Sequence, residues 1–354
     1  MRSALLVLRR RQPGRSRVVI AALALSVAAV GAACSKSDDG ATPVAGAPNT
    51  TTAPATYPLT GLPATDAATA GRPALNVKID NVAAARPQAG VDAADIVYEE
   101  VVEGGLTRLL AVYQSTDTDS IGPVRSVRPT DPNLAAPFGG VFAYSGGSER
   151  FDALIRATAG LTIASADEDG TPYVNRGPHS GDHTTYTSTA ALYAKVAPGA
   201  SPPPTFSPFL RAGEAFAPAG ATPASSLALV VGTQPVGFDF DASTKTWKRT
   251  NAGRPDLLQN GAQVEATNVI VQFVPYNAVE GATDTTGAQV FEAELIGSGE
   301  ALILSDGKSI TGRWTKSSTT AMTTYTDGAG APIALLPGRT WVELPEPGAS
   351  STVS

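Results

Sequence analysis

The feature that most constrains this chain is a glycine pair set between two β-prone runs. Residues 95–114 read D-I-V-Y-E-E-V-V-E-G-G-L-T-R-L-L-A-V-Y-Q, with Gly104-Gly105 at the reversal. Paired glycines accept φ > 0 without steric penalty, which a two-residue hairpin turn demands. A loop of that length predicts that Glu103 faces Leu106, Val101 faces Arg108 and Glu99 faces Leu110. Alternation then puts Glu99, Val101 and Glu103 on one face with Arg108. Arg108 falls diagonal to both acids, roughly 7–8 Å between backbones and within reach of long side chains. Two carboxylates about one guanidinium make either a salt-bridged solvent face, since exposed ion pairs are common and weak, or the floor of a polar site.

Further charge lies just downstream. Arg125 and Arg128 occur in I-G-P-V-R-S-V-R-P (121–129), a turn or loop context. Loop arginines suit bidentate recognition of carboxylate or phosphate, or they pair with Glu99, Glu100 or Glu103. Val141–Tyr144 reads as a short strand, followed by Ser145-Gly146-Gly147-Ser148. Ser148 is the expected N-cap of a helix that buries Phe151, Leu154 and Ile155 and ends at Gly160. Strand, small-residue loop and helix start can present N–H groups to an anion; the same glycines also serve a tight packed turn.

Both histidines, His179 and His183, fall in the irregular stretch 165–187, with Asp182 between them. Their spacing of four invites a metal reading, but Gly177-Pro178 and Gly181 break any helix that would enforce it. No metal and no cofactor are expected. His183 reads either as a general acid/base or ligand donor, or as a loop histidine bonded to Tyr186 or a carbonyl. Thr187 or Ser188 caps a helix to about Val196.

Several of these runs form a set. P-L-T-G-L-P (58–63), K-I-D-N (78–81) with A-R-P-Q-A-G-V-D-A-A-D (85–95), the hairpin itself, G-P-V-R-S-V-R-P (122–129), S-G-G-S (145–148) and H-T-T-Y-T-S (183–188) together resemble the YerB-like bacterial lipoproteins. G-K-S-I-T-G-R-W (307–314) and P-G-R-T-W-V-E (337–343) resemble the C-terminal part of that family, which is defined by a domain of unknown function. The resemblance implies an extracytoplasmic, lipid-anchored protein with a two-part fold, and no reaction. The expected fold class is α+β: a layered sheet/sheet/helix sandwich in the first domain, with a mostly β second domain.

The start of the chain agrees with export. Arg2, Arg9, Arg10, Arg11, Arg15 and Arg17 precede an apolar run that ends at Gly31-Ala32-Ala33-Cys34. This is a secretory signal over 1–33 with a lipobox-like cut before Cys34, the expected lipidation site; a leucine is more usual where Gly31 stands. Plain cleavage and a retained short helix are the alternatives. Cys34 is the sole cysteine, so lipidation would leave no thiol chemistry in the mature chain. Residues 34–57 form a Ser/Thr/Pro/Ala tether that cannot bury enough apolar surface to order itself. The first domain spans 58–200, a Pro-rich linker 201–225, the second domain 226–345 and a frayed tail 346–354.

In the second domain, strands are expected at 227–231, 237–241, 246–249, 268–274, 290–296, 301–304, 309–315, 322–325 and 340–344, separated by Gly-containing turns. Trp247, Trp314 and Trp341 are assigned to the core, with a sugar platform as the alternative. Ser305-Asp306-Gly307-Lys308 is an S-x-x-K run on a turn, without the companion motifs of a penicillin-binding site. A net charge of −6 argues against nucleic-acid binding.

Three functions follow, in order. The first is an envelope lipoprotein on the outer face of the cell membrane. It would bind an anionic or sugar-like ligand through Arg108, Arg125, Arg128, the loop Ser145, Gly146, Gly147 and Ser148, and the motif residues Asp80, Asn81 and Tyr186. The second is a cell-wall hydrolase or transferase using Glu99, Glu103 or His183 as acid/base. The hairpin separates Glu99 and Glu103 by roughly 13 Å of backbone, awkward against the roughly 5–9.5 Å of glycosidase carboxylate pairs. The third is a non-catalytic scaffold for another envelope protein.

Overall fold

The glycine reversal forms with three residues rather than two. The computed structural model describes residues 55–170 and 172–354; the expected leader, Cys34 and most of the tether lie outside the described residues. Three strands set the frame: β1 (Leu75–Asp80), β2 (Ile96–Val101) and β3 (Thr107–Tyr113). Between β2 and β3, Glu103–Gly105 make a 3₁₀ turn, with Gly104 at φ 66° and Gly105 at φ 69°. The tip docks on the second segment, where Thr233 N–H donates to the Gly105 carbonyl at 2.8 Å. A Cβ on Gly105 would fall 2.6 Å from Thr233 Cγ2, so the site needs glycine for space as well as for φ.

The extra residue shifts the register by one and exchanges the faces. Glu100, not Val101, stands opposite Arg108, and Glu99 stands opposite Leu109. The expected bracketing of Arg108 by Glu99 and Glu103 therefore does not occur. Glu99 points to the other side of the sheet.

Both sequence segments contribute to one mixed sheet of 11 strands. It runs from Thr324–Thr326 through Lys308–Lys316, Gly297–Ser305, Asn268–Gln272 and Thr340–Leu344 to β2, β3, β1, β4 (Gly140–Tyr144) and β5 (Leu161–Ser165), with the short strand Thr222–Pro223 paired to Lys308–Lys316 beside this path. The junction is Thr340–Leu344 lying parallel to β2, which sets Glu343 beside Glu99. The first segment is thus mixed α/β with parallel and antiparallel pairs and few helices, and the second is mostly antiparallel β.

One face of this sheet, carrying Val77, Val97, Ala111, Val269 and Trp341, shares a core with Leu227, Leu229, Phe238 and Trp247 of a second, six-stranded sheet. That second layer comes from residues 226–266 and 351–353, not from the first segment. The opposite face, with Tyr98, Leu110, Phe142 and Ile303, is covered by Leu134, Phe151, Ile155, Phe206 and Phe216. The two faces bury apolar area on opposite sides of the same strands. β2 and β3 are accordingly buried at every position and show no polar alternation.

Local expectations fare unevenly. The helix Glu149–Arg156 is capped by Ser148, whose hydroxyl accepts from Phe151 N–H, but it stops before Gly160, and Leu154 is 43% exposed. Ser188 caps Thr189–Tyr193, which ends before Val196. All three tryptophans are buried. Ser305 and Lys308 face each other across a two-residue hairpin, with Asp306 at φ 50° and Gly307 at φ 67°. The pair Tyr276–Thr283 and Gln289–Ala293 forms a separate hairpin whose first strand the sequence does not announce. Ser351–Val353, in the expected tail, adds an edge strand to the six-stranded sheet.

Candidate functional site

The register found in the hairpin puts Arg108 on the helix-covered face, opposite Asp80 of β1 and Glu100 of β2. There it forms the floor of a cleft of about 420 Å³, within the usual range for small-molecule sites. Asp80, Glu103, Arg108, Arg125, Arg128, Gly147, Ser148 and His183 all line it. Residues that sequence reasoning did not assign to this site complete the walls: Ser126, Phe151, Asp182, and Thr283–Thr286 at the tip of the separate hairpin.

The charges in the cleft are unevenly matched. Arg125 Nε lies 3.2 Å from Asp80 Oδ2, and its Nη2 lies 3.2 Å from Asp182. Arg128 Nε lies 2.6 Å from Glu103 Oε1, and its Nη2 donates to Oε2 at 2.9 Å. Arg108 has no ion pair among the described residues. It donates once, to the Ser126 carbonyl at 3.1 Å, and its buried Nε finds no acceptor. Only 8% of the residue is exposed. Burial, and after it the positive charge of Arg128, pulls its pKa down to about 10, against the opposing pull of Asp80 and Glu103.

His183 enters from the 3₁₀ turn Gly181–His183, its Nδ1 3.0 Å from Asp80 Oδ2. Asp80 thus holds both Arg125 and the imidazole. His179 instead contacts the Pro87 carbonyl at 3.0 Å. Among the described residues no cluster of three or more His, Cys, Asp or Glu is placed to hold a metal ion.

The loop 145–148 divides. Gly147 and Ser148 line the cleft, whereas Ser145 N–H donates to Arg125 O and the Gly146 carbonyl accepts from Val127 N–H, both at 3.1 Å. These two bonds hold the 125–127 backbone and so help place the arginines. Gly147, at φ 149°, leaves no room for a Cβ, which would meet Val127 Cγ1 at 2.6 Å.

Asn81, Tyr186 and Glu99 do not line the cleft. Asn81 is buried beside it, its amide donating to Glu99 at 2.9 Å and to Thr107 at 2.8 Å. Tyr186 is buried, and its hydroxyl accepts from Gln259 at 2.8 Å. Glu99 binds Arg249 across the sandwich core, Oε2 to Nη2 at 2.5 Å, out of reach of any ligand in the cleft. Arg249 was readable: in Thr246-Trp247-Lys248-Arg249, alternation puts it on the inward face of Trp247.

A second concavity of about 360 Å³ lies on the six-stranded sheet, lined mainly by small or apolar residues such as Ala228, Gly237 and Val230. It gathers no comparable set of charges.

The chain belongs to the DUF3048 family of proteins of unknown function. Residues 59–200 match the model described as Protein of unknown function (DUF3048) N-terminal domain, and 227–342 match the DUF3048 C-terminal domain. A relative in Bacillus subtilis (strain 168), named "Putative lipoprotein YerB", is 28% identical over 285 residues, 76% of this chain and 80% of the relative. The crystal structure of YerB protein from Bacillus subtilis superposes with a TM-score of 0.69 at 23% identity, covering 84% of this chain and 99% of that one. At that identity the superposition establishes the shared fold.

Proposed function

We propose that this protein is exported, anchored through a lipid on Cys34 to the outer face of the cell membrane, and binds an anionic or sugar-like envelope ligand in the Arg108 cleft. Segments 58–200 and 226–345 act in this reading as one body, with the tether 34–57 giving it reach. The observation that carries the ligand reading is Arg108 itself. A buried guanidinium without a counter-charge is costly, and an anion arriving from solution relieves that cost. The convergence of Arg108, Arg125, Arg128 and His183 favours a ligand site over a scaffold surface. For the anchor, the support is the lipobox-like Cys34 together with the lipoprotein naming of the relative.

Calorimetric titration of the full-length protein with a muramyl peptide and with a sugar phosphate tests the ligand reading. At least one binds, and Arg108→Gln weakens it by at least about 10-fold, the share of one charge-assisted contact. No binding of either overturns it. Fractionation tests the anchor: Cys34→Ala releases the protein from membranes, and retention of that variant counts against lipidation.

One observation favours a second reading. Asp80 holds His183 through Nδ1, leaving Nε2 as a group able to move a proton in the cleft, the arrangement of an oriented general base. Glu103 is the carboxylate candidate at this site. Release of soluble fragments from purified peptidoglycan by the wild type, lost in His183→Asn or Glu103→Gln, would support turnover. No release by the wild type removes it.

A further inference from the structure

The cleft holds donors of two kinds on adjoining walls. Arg108 supplies a planar fork at the floor, nine-tenths buried, with one protein acceptor and a buried Nε that has none. Beside it, Gly147 and Ser148 bring the start of the helix Glu149–Arg156 to the same space. The Ser148 carbonyl and hydroxyl are spent on N–H groups deeper in the helix, those of Phe151 and Asp152. Among the described residues no acceptor takes the N–H of Gly147, Ser148, Glu149 or Arg150. Free N–H groups at a helix start bind oxyanions, and the helix dipole adds to the attraction.

We infer that the cleft is built for a tetrahedral oxyanion, a phosphoryl ester on a neutral, hydroxyl-rich carrier, rather than for a carboxylate. This inference rests on the ligand reading above and sharpens it. A carboxylate has two oxygens in one plane, which the Arg108 fork alone can satisfy. The helix start then has nothing to bind. A phosphate ester is tetrahedral, with three non-bridging oxygens in a monoester and two non-bridging plus two bridging oxygens in a diester, so its acceptors leave any one plane and one set of donors can be met from the floor and another from the wall.

The rest of the lining limits the ligand's charge. Asp80, Glu103, Asp182 and Asp284 face the same space as the three arginines. Two of those arginines are already neutralised by Asp80, Asp182 and Glu103. A second negative group on the ligand would meet carboxylates without a free cation, whereas hydroxyls can donate to them. The chemistry is that of a phosphorylated polyol. It is offered both by a free small molecule and by the repeating unit of a polymer.

The test uses full-length protein in a non-ionic polyoxyethylene detergent, titrated calorimetrically with glycerol phosphate, a short glycerol phosphate oligomer, glucuronate and glycerol. The phosphorus NMR signal of the ester serves as a second readout. The expected result is binding of a phosphate ester at least 10-fold tighter than glucuronate, no heat with glycerol, and a shifted, broadened phosphorus signal. Arg108→Gln and, should that variant fold poorly, Arg108→Lys both weaken ester binding by at least 10-fold. Binding of the monomer assigns the site to a free ester; binding of the oligomer alone assigns it to a polymer. Glucuronate binding as tightly as the esters overturns the phosphoryl inference and leaves the anion reading standing. Unchanged ester affinity in folded Arg108 variants overturns the site assignment. Failure of every anion to bind removes both readings.

Discussion

Two arginines, both taken out of water, are treated in opposite ways by this fold. Arg249 lies wholly buried between the sheets, with Glu99 Oε2 at 2.5 Å, Glu343 Oε1 at 3.6 Å, Asp256 in contact, and the Trp341 ring centroid 4.8 Å from Cζ. Arg108 is nearly as buried on the other face, yet holds one carbonyl and no carboxylate. The interior cluster has an excess of acid: three carboxylates around one cation. Burial, and then the charge of Glu99, accordingly drive the Glu343 pKa far above the ordinary value of 4.5. The cleft has the reverse imbalance at its floor. The sealed region surrounds its cation with carboxylates, whereas the cleft leaves the cation at its floor with none in contact. That difference is what marks the second as a site.

The sharpest way to break the comparison is Arg249→Met. It strands Glu99, Asp256 and Glu343 without a cation, and urea denaturation should show a loss of about 3–5 kcal/mol. A loss under about 1 kcal/mol would mean that the cluster does not hold the sheets together.

Glu343→Gln comes next, and its signature is in pH. A carboxyl whose folded pKa is raised binds its proton more tightly when folded. Its contribution is complete below about pH 4.5 and is lost as pH rises through the folded value. The amide has no such proton to lose, so above pH 4.5 the variant should exceed the wild type by on the order of 1 kcal/mol. Parallel stability curves for the two proteins from pH 4 to 8 would count against the assignment.

Arg108→Met should behave unlike Arg249→Met. Removing an unmatched buried charge leaves stability unchanged or higher by about 1 kcal/mol, while anion binding disappears. A destabilisation as large as that of Arg249→Met would make Arg108 structural. The smallest effect belongs to Asp182→Asn. Its carboxylate is 77% exposed and shares Arg125, so stability should not change measurably. Anion affinity should rise roughly two-fold at low salt and less at high salt. Equal affinity at all ionic strengths would show that Arg125 does not help to hold the ligand.

Much of the fold was legible because it depends on neighbours in sequence. The Ser148 and Ser188 caps, the Asp306-Gly307 turn and most strands of the second segment follow from local propensity and turn chemistry. The hairpin register was not legible. β2 is buried on both faces, so Glu99 and Glu100 offer no alternation by which to choose a side. Each is neutralised by a distant partner: Arg249 for Glu99, and Lys78 for Glu100. Tyr276–Thr283 was missed for a related reason, since its mostly exposed mixture of polar and small residues shows no inside–outside alternation.

The amino-acid sequence alone determined where most strands, turns and caps lie, which family motifs are present, and that Arg108, Arg125, Arg128, Asp80 and His183 belong among the candidates. Only the tertiary structure decided which of them share a cavity and which are neutralised. A one-residue difference in a glycine loop inverts the faces of a strand, and the carboxylates that silence or spare each arginine come from segments up to 150 residues apart. Short-range chemistry has no access to either.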